Sequence, residues 1–392
     1  MRLVHRIVTM EGPHEVDPSG DLIITLRNPR APFAEAATEA QPAVKEGSAI
    51  ATEAPAIEET LTEEAPAVVA EDDATDAEST HAINLDNLLE AGSREHGEDR
   101  PLSETSEIQM RVSSKHLILA SPYFKAALNG PWREAASVSA DCCRYIHADD
   151  WDPQAFLILM QIIHGRNRQV PRLISLELLA KIAVLVDYYK CHEAVEAFAA
   201  LWLQETKSKS QLPTQVSREL VLWLCISWVF GNADIFTSVT RTALQQSQGP
   251  LATFGLPIPE RIVEAIDRRR QEIVGKVIAA LYSLLVYFRD GLDQCSFECS
   301  SMQLGALTKE MRAKRFEPKP QLPFLGYSVA ETIKAARSIR SPTWRSMSHA
   351  GSMQTCTLGY NVQSKIRSLE QMMGGFTLEE FRGLGDKQLF FA

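Results

Sequence analysis

The stretch VSSKHLILASPYF at residues 112–124 decides the fold of this chain. Its spacing predicts two short helices, 116–120 and 122–128, that are joined at Ser121. Ser121 is a favourable N-cap for the second helix, and Pro122 suits the first turn of that helix because an N–H has no helical partner there. The small side chain at this joint permits the close helix-on-helix approach that two short helices require.

Two strands are predicted on the N-terminal side of this stretch. Residues 21–26, DLIITL, follow the turn-forming sequence DPSG and are predicted to form a strand. Residues 108–112, IQMRV, alternate apolar and polar side chains as a half-buried strand does. We expect the two strands to form a hairpin whose connection has expanded to residues 31–105, since loop-closure entropy grows only logarithmically with length.

The connection 31–105 holds most of the acidity of the chain. It contains 14 Glu and 5 Asp against one Lys and two Arg, a net charge of −16, whereas the whole chain carries −10. The other residues are therefore mildly basic, at +6. Phe33 is the only aromatic residue in this segment, which predicts a disordered acidic insertion because too little apolar surface can be buried to offset ordering entropy. Residues 83–90 carry a short amphipathic pattern, so a short partner-binding helix is the alternative to disorder there.

Helices dominate the sequence after a short strand candidate at residues 144–147. Asp152 and Ser175 are predicted N-caps, and Ser328 with Glu331 forms a capping-box pattern. The last fifty residues are rich in Ser, Met and Gly and are weakly patterned. The predicted helices are 153–163, 175–189, 193–206, 215–230, 234–246, 259–289 and 329–338.

Taken in order, these elements resemble the BTB/POZ family over residues 15–30 and 106–206. The residues that carry the resemblance are a first strand DLII at 21–24, the pattern His116, Ala120-Ser121 and Phe124, then Trp132 and Glu134, the segment IHADDWDPQAF at 146–156, and a closing hairpin with Tyr188, Tyr189 and Cys191.

The long acidic insertion departs from the usual family pattern, in which the first two strands are a few residues apart. It is similar to the expanded loop of filamentous-fungal BTB proteins, whose C-terminal extension also carries the elements found here at Cys295-x-x-x-Cys299 and Ser341-Pro342-Thr343-Trp344. The resemblance implies a three-stranded sheet capped by helices that acts in dimerisation or protein interaction. In some members of the family this module recruits a cullin-type ubiquitin ligase scaffold.

The expected fold is therefore α+β, a BTB/POZ-like small sheet capped by helices and followed by a mostly α-helical C-terminal region. Its predicted parts are an N-terminal arm with the first strand (1–30), the disordered acidic insertion (31–105), the remainder of the BTB/POZ-like domain (106–206), a helical C-terminal domain (207–340) and a Ser/Gly-rich, weakly structured tail (341–392).

The expected function is non-enzymatic protein–protein interaction, by dimerisation or by recruitment of a partner. A substrate adaptor for a cullin-type ubiquitin ligase and a zinc-containing nuclear regulatory protein are the alternatives. The partner is expected to be a protein, either a second copy of the chain or a cullin-type scaffold. The predicted contact residues, each of which also suits a core position, are Leu117, Phe124, Trp132, Phe156 and Tyr189.

No cofactor is expected, but the sequence contains one possible metal site. Cys295 and Cys299 are four residues apart, so a helix would place both thiols on one face. His349 and Cys356 could complete a tetrahedral structural zinc site. Structural zinc ligands usually come as tighter pairs, so free thiols are the alternative.

Other classes of function lack their sequence signals. Neither a Gly-rich phosphate-binding loop nor a G-x-S-x-G or H-E-x-x-H motif occurs, so no enzyme activity is expected. The basic runs 166–168 and 268–270 are expected to be solvated faces rather than nucleic-acid sites, and His116 is expected to be a buried structural histidine.

The apolar stretches of the chain bear on its location. The two longest, residues 220–230 and 277–288, are about 12 residues each, where a membrane span needs roughly 20. Seven Cys residues, an odd number, without a recognisable signal sequence indicate a reducing compartment. We therefore expect an intracellular protein, cytoplasmic or nuclear, with no membrane partner.

Overall fold

The computed structural model describes residues 14–35, 107–129, 143–291, 296–343 and 357–382. The fold is mixed α+β, and about 60% of these residues are helical. The four described strands form one sheet in the order β1-β3-β2-β4. The strands are β1 (His14–Glu15), β2 (Leu22–Arg27), β3 (Ile108–Val112) and β4 (Arg144–Asp149).

The predicted hairpin is confirmed. Strands β2 and β3 pair antiparallel, with Leu22 opposite Val112 and Leu26 opposite Ile108. Strand β4 pairs parallel with β2, and the short β1 adds a fourth strand parallel to β3. The inward-facing residues of this sheet, among them Ile24 and Met110, are fully buried beneath the helices. Residues 36–106, which include most of the predicted acidic insertion, lie outside the described residues.

Eleven α-helices follow within the described residues. The first two form the predicted joint, α1 (Ser114–Ala120) and α2 (Pro122–Asn129). The others are α3 (Pro153–Ile163), α4 (Leu176–Tyr189), α5 (His192–Lys209), α6 (Arg218–Val229), α7 (Ala233–Gln246), α8 (Glu260–Asp290), α9 (Phe297–Ala313), α10 (Val329–Arg337) and α11 (Leu358–Ile366).

The predicted N-caps explain where several helices begin. A carboxylate oxygen of Asp152 accepts a hydrogen bond from the backbone N–H of Ala155 at 2.9 Å, and this bond starts α3. The hydroxyl oxygens of Ser175 and Ser328 accept the corresponding bonds at 3.2 Å at the starts of α4 and α10. Each cap satisfies a donor that the first turn would otherwise leave without a partner.

The core runs from the sheet into the C-terminal helices. Helix α4 packs against α6, and α6 packs against α7, so apolar contact continues past residue 206. The predicted boundary between the third and fourth parts, after residue 206, falls inside α5, which ends at Lys209. The division of the chain into these parts stays a prediction.

Helix α8 is the central helix of the C-terminal region. By length and composition it is the one helix of the described residues that could cross a membrane. Its apolar stripe, which includes Val277 and Leu281, is buried in the core, and α8 contacts α7, α9, α10 and α11. A long apolar stripe of this kind needs such cover in order to be stable in water.

The prediction of a weakly structured tail over 341–392 is wrong for the described part of that segment. Residues 357–382 contain α11 and two 3₁₀ turns, Arg367–Met373 and Leu378–Glu380. Leu358, Val362 and Ile366 recur every fourth residue and are buried, which is the spacing of one helical face. The Ser- and Gly-rich composition around them concealed this pattern. Helix α9 was likewise not predicted.

Candidate functional site

Ser121 connects the two short helices to the rest of the core. Its hydroxyl donates a hydrogen bond to the backbone carbonyl of Tyr189 at 2.5 Å, and its oxygen accepts one from the N–H of Phe124 at 3.1 Å. Ser121 is fully buried. One side chain therefore caps α2 and also ties the α1–α2 joint to the C-terminal end of α4.

Aromatic side chains fill the space around this joint. The rings of Phe124 and Tyr189 are stacked, with centroids 4.6 Å apart and planes 8° from parallel. The ring of Phe156 meets Tyr189 edge-on at 5.9 Å. Burial raises the pKa of Tyr189 well above its usual value, so its hydroxyl stays neutral.

The structure places the predicted contact residues in this core. Leu117, Phe124, Phe156 and Tyr189 are all buried. Trp132 lies outside the described residues. Partner contact through these five side chains stays a prediction, and the described surface next to them offers better-placed candidates.

Three exposed side chains lie around this joint, and we call them the tyrosine patch: Leu119, Tyr123 and Tyr188. Their exposed fractions are 87%, 40% and 44%. The Tyr123 and Tyr188 hydroxyl oxygens are 3.3 Å apart, and the half-buried ring of Trp151 meets Tyr188 edge-on at 5.2 Å. Leu119 precedes Tyr123 by four residues, across the joint.

Two pairs of neighbouring residues in the sequence indicate this patch. Leu117 and Leu119 are two residues apart on a helix, so they must point in nearly opposite directions and only one of them can face the core. Tyr188 and Tyr189 are consecutive on α4 and point about 100° apart, so one can lie at the surface while the other is buried. Choosing the exposed member of each pair requires the packing direction, which the sequence alone did not supply.

A pair of histidines lies where β3 leads into α1. The expectation that His116 is buried is wrong: it is exposed, and its ring contacts that of His164 at 4.9 Å between centroids. His164 is the histidine that bonds to the backbone. Its Nδ1 lies 2.8 Å from the carbonyl oxygen of Met160, and its Nε2 accepts from the N–H of Ser113 at 2.9 Å. This arrangement fits the neutral ring, and burial lowers the pKa of His164 below its usual value.

The cysteines that the structure describes are buried. The thiol of Cys299 lies on α9, 3.4 Å from the side-chain amide nitrogen of Gln303. Cys295, His349 and Cys356, the other residues of the zinc hypothesis, lie outside the described residues. Within the described ranges no three His, Cys, Asp or Glu side chains come together as a metal site would require. Burial also raises the pKa of Cys191 to about 12 and that of Cys225 further, which keeps both thiols protonated.

A cavity of about 260 Å³ lies beside the start of the acidic segment. Phe33 and Trp151 are among its walls, and an ion pair between Lys181 and Asp152 at 2.9 Å lies in its lining. Arg218 donates to the backbone carbonyl of Phe33 at 3.0 Å and thereby fixes the chain as it enters the acidic segment. The cavity is smaller than the roughly 300–1,000 Å³ of typical small-molecule sites.

The second basic run is not the solvated face that the sequence predicts. Arg268 is exposed, but Arg270 is fully buried and forms an ion pair with Asp267 at 2.7 Å. The guanidinium of Arg269 lies 3.7 Å from the centre of the Phe376 ring. In the first run, Arg166 donates to the carbonyl of Val16 at 3.0 Å. Helical spacing from Ile266 and Ile273 places Arg270 on the apolar stripe of α8, and the loop that supplies its backbone acceptors comes from far along the chain.

Comparison of the chain with models of protein families, with curated proteins and with solved structures finds no match.

Proposed function

We propose that this chain is a non-enzymatic protein-interaction protein. A BTB/POZ-like module of residues 15–30 and 106–206 would associate with a second copy of the chain through the tyrosine patch. An intracellular location, in the cytoplasm or nucleus, belongs to the same proposal.

The order of the elements supports the module. A hairpin, two short helices of which the second is capped by Ser121, a strand and a helix that begins after Asp152 follow one another as the resemblance implies. The serine of the Ala-Ser-x-x-Phe pattern bonds to α4, and the phenylalanine stacks on a tyrosine of α4. Ser121 and Phe124, two of the residues that carry the resemblance, therefore also hold α2 against α4.

The observation that carries the interaction is the exposure of Leu119. A leucine that is 87% exposed keeps most of its apolar surface in water, and two partly exposed tyrosines lie on the adjacent elements. Tyrosine is enriched in protein interfaces because it combines a large apolar ring with a hydroxyl that still finds polar partners. Burying such a patch against its own copy gives a two-fold interface, the commonest arrangement among soluble oligomers.

The open edge of the sheet is a second contact element. β4 lies at the end of the strand order, and among the described residues it pairs only with β2. Exposed backbone groups at such an edge can accept an extended segment of a partner.

The proposal is tested by co-purification of two full-length copies that carry different tags. We expect the wild-type copies to purify together, and the combination Leu119→Ser with Tyr188→Ala to weaken the association at least about tenfold, since two apolar contacts are lost. Leu173→Ser is the matched control, because Leu173 is 58% exposed in a loop outside the patch. Wild-type copies that never co-purify would contradict the proposal.

The same assay distinguishes a ubiquitin ligase adaptor from a dimerisation module. A recombinant cullin N-terminal domain replaces the second copy as the partner. Capture of that domain by the wild type, lost in the patch variant, would favour a ubiquitin ligase adaptor over a simple dimerisation module.

A further inference from the structure

A loop in the C-terminal region presents two leucines to solvent from a firmly held backbone. We call residues 317–327 the leucine loop. Its Leu322 and Leu325 are 69% and 63% exposed. Between them Phe324 turns inward and contacts Gly275 of α8. Leu325 rests with one edge against Gly249, and both leucines keep most of their apolar surface in water.

Arg270 of α8 holds the backbone of this loop in place. Its guanidinium donates to the carbonyls of Pro323, Phe324 and Tyr327 at 2.8, 2.9 and 3.1 Å. The hydroxyl of Tyr327 donates to the carbonyl of Arg315 at 2.5 Å. Because the loop is already ordered, docking through its leucines would cost little further loop entropy.

Cationic side chains are concentrated in the chain just before the loop and at its start. Four of them, which we call the basic collar, are exposed: Lys309, Arg312, Arg315 and Lys319. Lys309 and Arg312 are three residues apart and share one face of α9. Arg315 is joined to the loop by the Tyr327 bond, and Lys319 precedes Leu322 by three residues. The carboxylate of Glu310 is buried against Arg340 and Lys314, but that of Glu317, between Arg315 and Lys319 in the chain, is exposed. The four cations and Glu317 together carry a net charge of +3.

We propose that the leucine loop and the basic collar dock this protein onto an anionic lipid surface. Protruding apolar side chains enter the boundary between headgroups and acyl chains, while flanking Lys and Arg contact the negatively charged headgroups. The arrangement suits a membrane better than a protein partner, because a bilayer needs no pre-formed cleft to receive two leucines. The sequence expectation of no membrane partner rests on the lack of a spanning segment, which surface docking does not require.

The test is co-sedimentation of the full-length chain with lipid vesicles. Vesicles of phosphatidylcholine alone are compared with vesicles that also contain phosphatidylserine, at low and high salt. We expect binding to the phosphatidylserine vesicles only, and we expect it to weaken as salt screens the charges.

Two sets of variants assign that binding to the loop. Leu322→Ser with Leu325→Ser is expected to lower the partition coefficient at least tenfold, and Arg315→Gln with Lys319→Gln by about fivefold per charge. Arg168→Gln with Arg172→Gln removes the same charge from another exposed loop and should leave binding within about twofold. Leu119→Ser should also bind vesicles normally, so failure of the tyrosine patch is distinguishable from failure of this proposal.

Two results would overturn the inference. One is the absence of binding to phosphatidylserine vesicles by the wild-type chain. The other is binding that persists unchanged when both leucines of the loop are replaced.

Discussion

The hydroxyl of Ser121 donates a hydrogen bond to the backbone carbonyl of Tyr189, across 68 residues of sequence. The same oxygen accepts the bond that starts α2. Both bonds are buried, so neither group could turn to water if Ser121 were removed.

Ser121→Ala is therefore expected to lower the free energy of unfolding by about 2–3 kcal/mol, the sum of a lost cap and an unpaired buried carbonyl. Urea denaturation of the full-length chain measures this. Ser283→Ala is the control, since the Ser283 hydroxyl bonds to the Ala280 carbonyl on an exposed face of α8. An effect of Ser121→Ala no larger than that of the control would show that the bond to Tyr189 does not stabilise the fold.

The regular elements around this bond could be predicted from the sequence, and the reason is local. Ser121-Pro122, Asp152-Pro153 and Ser175 begin helices through bonds to residues three positions later, which a short window of sequence contains. The strand pair β2–β3 could also be predicted, because an apolar run follows the turn sequence DPSG, residues 108–112 alternate, and the acidic stretch between them carries almost no aromatic residue.

What could not be predicted depends on residues that are distant in sequence. The exposure of His116 follows from the position of His164, which takes the buried bonds to Ser113 and Met160. The backbone acceptors that satisfy the buried guanidinium of Arg270 come from a loop more than fifty residues away. The division of Leu117 and Leu119 between core and surface likewise depends on the helices that pack against α1.

Arg270 gives the second prediction. Arg270→Leu would leave three backbone carbonyls and the carboxylate of Asp267 without their cation, and removing one partner of a buried ion pair costs about 3–5 kcal/mol. We expect a lowered midpoint of urea denaturation for this variant. Arg268→Gln, in the same basic run but exposed, should change the free energy of unfolding by less than about 0.5 kcal/mol. Equal effects of the two substitutions would mean that the buried contacts of Arg270 contribute no stability.

His164 makes stability depend on pH. Burial lowers the pKa of His164 in the folded chain below the usual 6.5. At a pH between the folded and the unfolded pKa, the unfolded chain therefore binds a proton that the folded chain does not bind. The free energy of unfolding should therefore fall as the pH drops below about 6.5, and it should be fully regained above that pH. Burial also lowers the pKa of His14 and that of His192, so the wild-type curve contains their contributions as well.

The contribution of His164 is isolated by comparing variants. His164→Gln should be less stable than the wild type at pH 7.5, because the N–H of Ser113 loses its acceptor, but its stability should fall less between pH 7 and pH 5. His116→Gln, which alters only the exposed ring of the pair, should keep most of the wild-type slope. Identical slopes for the wild type and His164→Gln would refute this assignment.

The zinc hypothesis yields a separate prediction. The Cys299 thiol lies next to an amide nitrogen inside α9, and we expect the purified protein to hold no stoichiometric zinc. Elemental analysis after dialysis against a chelator-free buffer measures this directly. About one zinc per chain, lost in Cys295→Ala and in Cys356→Ala, would instead establish the tetrahedral site of Cys295, Cys299, His349 and Cys356.

Self-association through the tyrosine patch is tested most directly by the molar mass of the full-length chain in solution. Size-exclusion chromatography with light scattering should give a wild-type mass of about 87 kDa, twice the 43.6 kDa of one chain, and a mass near 43.6 kDa for Leu119→Ser combined with Tyr188→Ala. Leu173→Ser should remain at the wild-type mass. A wild-type mass of 43.6 kDa at every concentration, or a dimer that the patch variant leaves intact, would contradict the proposal.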